Sequence, residues 1–243
     1  MSIFKFKKFN VNQSNAPQKI GTDAMILGAL ANPNSIGFKN PKAILDVGTG
    51  CGVIALMLAQ HFPESQITGI DIDDQAVQQA DLNFKNAKLS PFDFKNDFQA
   101  LHYNFLEYSP IHKLDLIVSN PPYFNTKMPS SDQQRSLARH ESSMSLQELI
   151  NHSAEILNES GELWLILPSE RTEELVSGRL DLKLIRKIDI YGKPNRHVRD
   201  VLVFSKTDLV DITTPDTFTI RDGQNQYTEQ YKALTIDFHF NQL

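Results

Sequence analysis

The segment Asp46-Val47-Gly48-Thr49-Gly50-Cys51-Gly52 constrains this chain more than any other. It follows the short apolar run Ala43 to Val47 and precedes Val53 to Gln60, which has few polar positions. An apolar run, a glycine-rich turn and a second apolar stretch predict a strand, a loop and a buried helix. Three alternating glycines let the backbone turn tightly and approach a ligand closely, and the following helix offers N–H groups that have no partner within it. A polar or anionic group is therefore expected against this loop.

The pattern continues on both sides. Gln66 to Ile72 reads as a second strand, and Asp74 to Ala87 as a second helix opened by acidic residues that suit its positive end. A third strand falls within Phe98 to Phe105. Leu114 to Ser119 is a fourth, stopped at Asn120-Pro121-Pro122-Tyr123 because two prolines cannot continue a ladder. Ser145 with Glu148 predicts a capping box for a helix running to about Leu157. Glu162 to Leu167 reads as a fifth strand, and Lys183 to Tyr191 and Val201 to Lys206 as two more around a loop from Gly192 to Asp200. Strands alternating with helices predict a doubly wound α/β sheet, with its ligand site beyond the carboxyl ends of the strands at a topological switch point. The polar segment Asn125 to Ser143 has no periodicity and is expected to be a mobile loop beside the site.

Composition narrows the setting. A chain of 243 residues with 40% apolar content can build one large core, so one catalytic domain over 1–243 is expected, with 1–40 as an extension covering substrate or cofactor. No run of eighteen apolar residues occurs, and the N-terminus lacks the features of a signal peptide, which predicts a soluble cytoplasmic protein. The single cysteine, Cys51, fits a reducing compartment and excludes a zinc site needing two thiolates from this chain. A net charge of -5 argues against a generally basic surface, yet Arg179 to Arg199 carries seven Lys/Arg against two Asp.

Asp71 ends the second strand 23 residues after Gly48, where a carboxylate can accept both hydroxyls of a ribose. A dinucleotide fold also uses a glycine turn and such an acid, but G-x-G-x-G replaces its G-x-G-x-x-G. S-adenosylmethionine is the favoured ligand, its carboxylate on the loop and its ammonium near Asp46, with NAD as the alternative and a structural turn as the plainer one. Cys51 reads as a small packed residue, which weighs against thiol-dependent methylation of a pyrimidine carbon.

Asn120 to Tyr123 supplies the chemistry. An exocyclic amine on an aromatic ring is a poor nucleophile because its lone pair is delocalised. Two fixed acceptors, the Asn120 side-chain oxygen and the Pro121 carbonyl, can each take one N–H and aim the lone pair at an electrophilic methyl, which is catalysis by positioning and preorganised electrostatics. Pro122 stiffens the turn, and Tyr123 can stack on the target ring for about 1–3 kcal/mol.

At these residues the chain resembles the amino-methyltransferases that carry Asn-Pro-Pro-Tyr, and more narrowly the bacterial tRNA(Val) adenine-N6 methyltransferases, which modify the adenine just 3′ of the anticodon. Phe9-Asn10-Val11, Lys19-Ile20-Gly21-Thr22-Asp23, Ala138-Arg139, Leu167-Pro168, Lys193-Pro194 and Gln226-Tyr227-Thr228-Glu229-Gln230-Tyr231 extend the resemblance over nearly the whole chain. It implies a Rossmann-like class I methyltransferase fold with a mostly parallel seven-stranded sheet. It also implies cofactor contacts from Thr22, Asp23, Asp46, Gly48, Thr49, Gly50, Gly52, Asp71 and Ile72, and catalysis from Asn120 to Tyr123. Where the family has an acid for the cofactor's adenine amine, this chain has Asn104 followed by Phe105, with Asp97 the nearest alternative acid.

A glutamine methyltransferase acting on a release factor uses the same four residues, but places a larger domain ahead of the glycine loop than the roughly 40 residues present here. An RNA-binding module without turnover is the non-enzymatic alternative, and an intact Asn120 to Tyr123 argues against it. Lys5, Lys7, Lys8, Arg135, Arg139, Lys193, Arg196 and Arg199 are expected to form a track for an anticodon stem-loop. His140, His152 and His197 read as surface or hydrogen-bonding histidines. No metal is expected, no strong base is needed, and the chain is expected to act as a monomer.

Overall fold

A computed structural model describes residues 2–14, 19–37, 40–121, 144–175, 180–207 and 215–239. An antiparallel hairpin, β1 (Ile3–Lys5) and β2 (Asn10–Asn12), and a helix α1 (Thr22–Leu30) come first. There follow β3 (Ala43–Val47), α2 (Val53–His61), β4 (Gln66–Asp71), α3 (Asp74–Lys88), β5 (Asp97–His102) and a short turn of 3-10 helix at Phe105–Glu107. Then come β6 (Leu114–Ser119), α4 (Leu146–Ile156), β7 (Leu157–Pro168), α5 (Ser169–Leu175), β8 (Lys183–Lys193), β9 (Arg196–Ser205), β10 (Asp216–Thr219) and α6 (Glu229–Thr235).

The main sheet has the order β10-β8-β9-β7-β6-β3-β4-β5, and β9 alone of its described strands runs against the others. The chain enters at β3, moves outward through β4 to β5, then returns to the other side of β3 as β6. Connections leave in opposite directions at β3 and β6, which opens a crevice at their carboxyl ends. Neighbouring residues of the central strands serve opposite faces: Ile44, Leu116 and Trp164 join one apolar cluster with α1 and α2, while Leu45, Ile117, Leu163 and Leu165 join another with α4. Burial on both faces is why these strands read as continuous apolar runs. Helix starts follow local signals. Asp73 Oδ1 accepts from the Gln75 and Ala76 N–H groups at α3, and Ser145 and Glu148 close the expected capping box at α4.

Two expectations are corrected. The sheet has eight strands, not seven. The addition, β10, lies parallel to β8 and buries only Phe218 of its four residues, too short an alternation to read as a strand. The stretch Gly192 to Asp200 is not a loop either, since β8 runs on to Lys193 and β9 starts at Arg196 with only Pro194-Asn195 between them. Asn195 takes the turn at φ 62°, and the polar residues flanking it carry no apolar alternation to reveal the strands.

Candidate active site

Gly48, Gly50 and Gly52 have φ of 71°, 56° and 79°, the left-handed region where glycine is favoured. The Gly48 and Thr49 N–H groups both donate to the Ile70 carbonyl at 2.9 Å, which ties the loop to β4. A Cβ at Gly48 or Gly50 would meet nothing within 4 Å, whereas at Gly52 it would lie 2.6 Å from the Phe84 ring. Gly52 is thus needed for packing, and the other two leave an open cradle.

Two carboxylates brace this cradle. Asp46 is fully buried, and its Oδ2 accepts from Thr49 Oγ1 at 2.8 Å and from the Ala55 N–H at 3.2 Å. Burial pushes its pKa up to about 7 against the pull of those two hydrogen bonds. Its Oδ1 is buried without a partner. Asp71, at the end of β4, accepts from the Gly50 N–H at 2.9 Å and the Asp73 N–H at 3.0 Å, and burial raises its pKa as well. Cys51 is buried, which drives its thiol up to about 11 and leaves it no nucleophile near neutrality.

Asn83, which the sequence reading passed over, holds the loop from below. Its Nδ2 donates to the Cys51 carbonyl and to the Asn12 carbonyl, both at 2.8 Å, while its Oδ1 accepts from the Asn12 N–H at 2.9 Å. The N-terminal hairpin and the glycine loop are thereby joined through one side chain closed to solvent. The signal was present: Asn83 falls at helical spacing among Ala76, Ala80, Phe84 and Ala87, on the apolar face of α3.

Asn120 reaches the cradle by strand register. Val47 of β3 pairs with Ser119 of β6, whose Oγ donates to the Val47 carbonyl at 2.8 Å. Gly48 and Asn120 therefore leave adjacent strands side by side, about 4.8 Å apart. Asn120 is half-buried and Pro121 buried. Pro122, Tyr123, Arg135, Arg139, His140 and the segment Asn125 to Ser143 lie outside the described residues.

A glycine cradle beside an Asn-Pro turn agrees with what is known of similar chains. Residues 20–180 match the family model of the methyltransferase small domain. A tRNA1(Val) (adenine(37)-N6)-methyltransferase of Flavobacteriaceae bacterium (strain 3519-10) is 36% identical over 98% of this chain and 99% of its own. The protein of the same name from Porphyromonas gingivalis (strain W83) is 35% identical over 98% and 94%. The chain belongs to this methyltransferase family. The fold agrees: a predicted O-methyltransferase of Agrobacterium tumefaciens superposes with a TM-score of 0.61 at 16% identity, covering 89% of this chain and 96% of its own. A methyltransferase of Pyrococcus furiosus gives 0.55 at 19% identity, covering 82% and 89%.

The methyl donor of this methyltransferase is S-adenosylmethionine. The residues fit it. Gly48 and Gly50 leave room that a side chain would fill, Asp46, two residues before Gly48, has an unpartnered buried Oδ1, and Asp71 keeps acceptor capacity at the end of β4. Ile72 is exposed beyond Asp71. Asn104 spends its side chain on local structure, accepting from the Leu106 N–H at 3.2 Å and donating to Glu107 at 3.1 Å, and Phe105 is buried in the core. Asp97 pairs with Gln66 at the amino end of β5, whereas Asp71 pairs with His102 at the other end. Five residues of strand, roughly 16 Å, separate Asp97 from the site, so it is not the alternative acid.

The basic residues divide into separate groups. Lys193 and Arg196 face each other, exposed, at the tip of the β8–β9 hairpin on the carboxyl edge of the sheet. Arg199 begins the pairing with Pro168 at the end of β7 and makes a 2.8 Å ion pair with Asp23 in the first turn of α1. Thr22 beside it is exposed. Lys5, Lys7 and Lys8 are exposed elsewhere: the Lys7 ammonium donates to the Ile236 carbonyl at the end of α6, and the adjoining Phe9 packs on Phe94, which precedes the amino end of β5. The structure therefore does not bring them together with Lys193 and Arg196.

His197 is bonded, with Nε2 2.6 Å from Asp200 Oδ1, and His152 Nε2 lies 3.0 Å from the Tyr108 carbonyl. Asp189, His197 and Asp200 converge as metal ligands do, but the Lys187 ammonium sits 2.9 Å from Asp189 and 3.5 Å from Asp200, where a cation would go. No helix among the described residues is long and apolar enough to cross a membrane.

Proposed function

We propose that this chain methylates the N6 amine of adenine 37, just 3′ of the anticodon, in tRNA1(Val). The observation that carries the reading is the register pairing Val47 with Ser119, which sets Asn120 beside the glycine cradle. S-adenosylmethionine supplies an electrophilic methyl on sulfur. Asp46, Gly48, Gly50 and Asp71 would hold it, with Thr22 and Asp23 as the near wall and the N-terminal hairpin backing the loop through Asn12 and Asn83. The Asn120 side-chain oxygen and the Pro121 carbonyl would accept the two amine N–H groups and aim the freed lone pair at the methyl that the cofactor would supply. The methylated nitrogen is then acidic and loses its extra proton to water, so no side chain has to act as a strong base. Tyr123 stacks on the extruded adenine.

We infer that the enzyme acts as a monomer and needs no metal. The lone buried cysteine fits the cytoplasm. The test is transfer of labelled methyl to total tRNA from cells lacking this protein, with nucleoside mass spectrometry and a release factor offered in parallel. N6-methyladenosine in tRNA is expected, and Asn120→Ala should keep cofactor binding while losing transfer on the order of 10²–10³-fold. Label confined to the release factor would replace this reading with glutamine methylation.

A further inference from the structure

The tail motif Gln226 to Tyr231 has no part in the chemistry above, yet it builds a rigid mount. Arg221 pairs with Tyr227 across a short turn that Asp222 Oδ1 closes by accepting from the Gln224 and Gln226 N–H groups at 2.9 and 2.8 Å. The Arg221 guanidinium lies 3.9 Å from the centre of the Tyr227 ring, and one of its NH groups donates to the Asn225 carbonyl at 2.8 Å. Tyr227 stacks in turn on the buried Tyr231, with centroids 4.7 Å apart. Two tyrosines and a closed turn thus fix a half-exposed cation in place.

Its neighbours decide what it faces. The Ile220 and Arg221 N–H groups donate to the Tyr191 and Gly192 carbonyls, which sets Arg221 next to Lys193, and Lys193 pairs with Arg196. Three cations therefore stand on three adjacent segments at the carboxyl edge. Further along the same two strands Arg186, Lys187 and Arg199 are each matched by a carboxylate, Asp216, Asp189 and Asp23, whereas no carboxylate pairs with Lys193, Arg196 or Arg221 among the described residues. The ridge begins two strands from β6 and ends four strands from it, so Arg221 lies roughly 19 Å from Asn120. A folded RNA spans that distance and a mononucleotide does not.

We propose that Arg221, mounted on Tyr227 and Tyr231, forms with Lys193 and Arg196 a contact site for RNA backbone phosphates that orients the substrate remote from the reacting adenine. The site rests on the tRNA reading above. The test compares wild type with Arg221→Glu, Arg221→Lys and Lys193→Glu, using unmodified tRNA transcript. Affinity is measured across a salt series, together with KM for tRNA and for S-adenosylmethionine. Arg221→Glu is expected to weaken tRNA binding about tenfold, flatten the slope of log affinity against log salt by about one and leave the cofactor KM unchanged. Arg221→Lys should retain the slope but lose part of the affinity, because an ammonium does not present a planar fork. Lys193→Glu reads the same ridge independently should Arg221→Glu fold poorly. Wild-type slope and affinity in both charge reversals, with wild type still methylating tRNA, would overturn the site alone. No transfer to tRNA by wild type would overturn the reading beneath it.

Discussion

The side-chain amide of Asn83 donates to the main-chain carbonyl of Cys51 at 2.8 Å, closed to solvent. The same side chain exchanges two further bonds with the backbone of Asn12, so its removal leaves three main-chain groups without their partner. Each such orphan costs about 1–3 kcal/mol when buried. Asn83→Ala is therefore expected to lose more than about 2 kcal/mol in urea unfolding and to weaken S-adenosylmethionine binding, because the loop loses its anchor. Asn83→Asp keeps the shape but cannot donate, so it should behave much like the alanine variant. An aspartate variant as stable as wild type would show that packing, not hydrogen bonding, holds the loop.

Asp46 ties stability to pH with a definite sign. Its carboxyl titrates near 3.8 when unfolded and at about 7 in the fold, because burial penalises the charge. Between those values the native state keeps a proton that the unfolded chain has lost. Its contribution is therefore fully present below about pH 4 and is lost as pH rises through about 7. His61, half-buried and lowered by desolvation to about 4, acts with the opposite sign between there and its ordinary 6.5, and Asp71 adds to the Asp46 sign, so the total profile mixes several groups. The difference between wild type and Asp46→Asn isolates the carboxyl: the variant should gain on wild type as pH rises from 4 to 7, by a few kcal/mol in order of magnitude. Parallel stability profiles in urea would contradict a buried, proton-holding Asp46.

Gly50 and Gly52 should fail differently. Alanine at either pays a left-handed backbone penalty of about 1–2 kcal/mol. At Gly52 the new methyl also meets the Phe84 ring at 2.6 Å, and that ring is stacked on Phe98 and cannot withdraw freely. Gly52→Ala should thus cost clearly more in thermal unfolding than Gly50→Ala. At Gly50 the methyl enters open space over the cradle, so the larger loss there should be in cofactor affinity, measured by titration calorimetry.

The contrast between these residues explains what a linear reading reaches. Strands β3, β4, β6 and β7 were legible because burial on both faces makes them apolar runs, and the Ser145 and Glu148 cap because its two partners are three residues apart. Asn83 was legible only in part, since its spacing among Ala76, Ala80, Phe84 and Ala87 puts it on the buried face of α3 but does not name the hairpin it binds. Charge was the least legible property. Lys7 and Arg196 look alike in sequence, yet one ammonium is spent on the Ile236 carbonyl and the other cation faces solvent. Partners 229 residues apart leave no local trace. The Pro194-Asn195 turn was missed for a related reason: a half-exposed hairpin needs no apolar alternation.

Arg196 and Arg199, three residues apart on β9, should separate RNA binding from cofactor binding. Arg196 is exposed, with no carboxylate partner among the described residues, so Arg196→Glu should weaken tRNA binding, flatten its salt slope by about one and leave S-adenosylmethionine binding unchanged. Arg199 is held by Asp23 at 2.8 Å with both side chains partly buried, and Asp23 sits in the first turn of α1. Reversal there sets two carboxylates against each other and pushes that turn outward, so Arg199→Glu should weaken cofactor and RNA binding together. Adding Asp23→Arg restores an ion pair of opposite polarity and should recover cofactor affinity in part. Cofactor binding by Arg199→Glu at wild-type strength would remove Asp23 from the cofactor wall and leave Arg199 a role toward RNA alone.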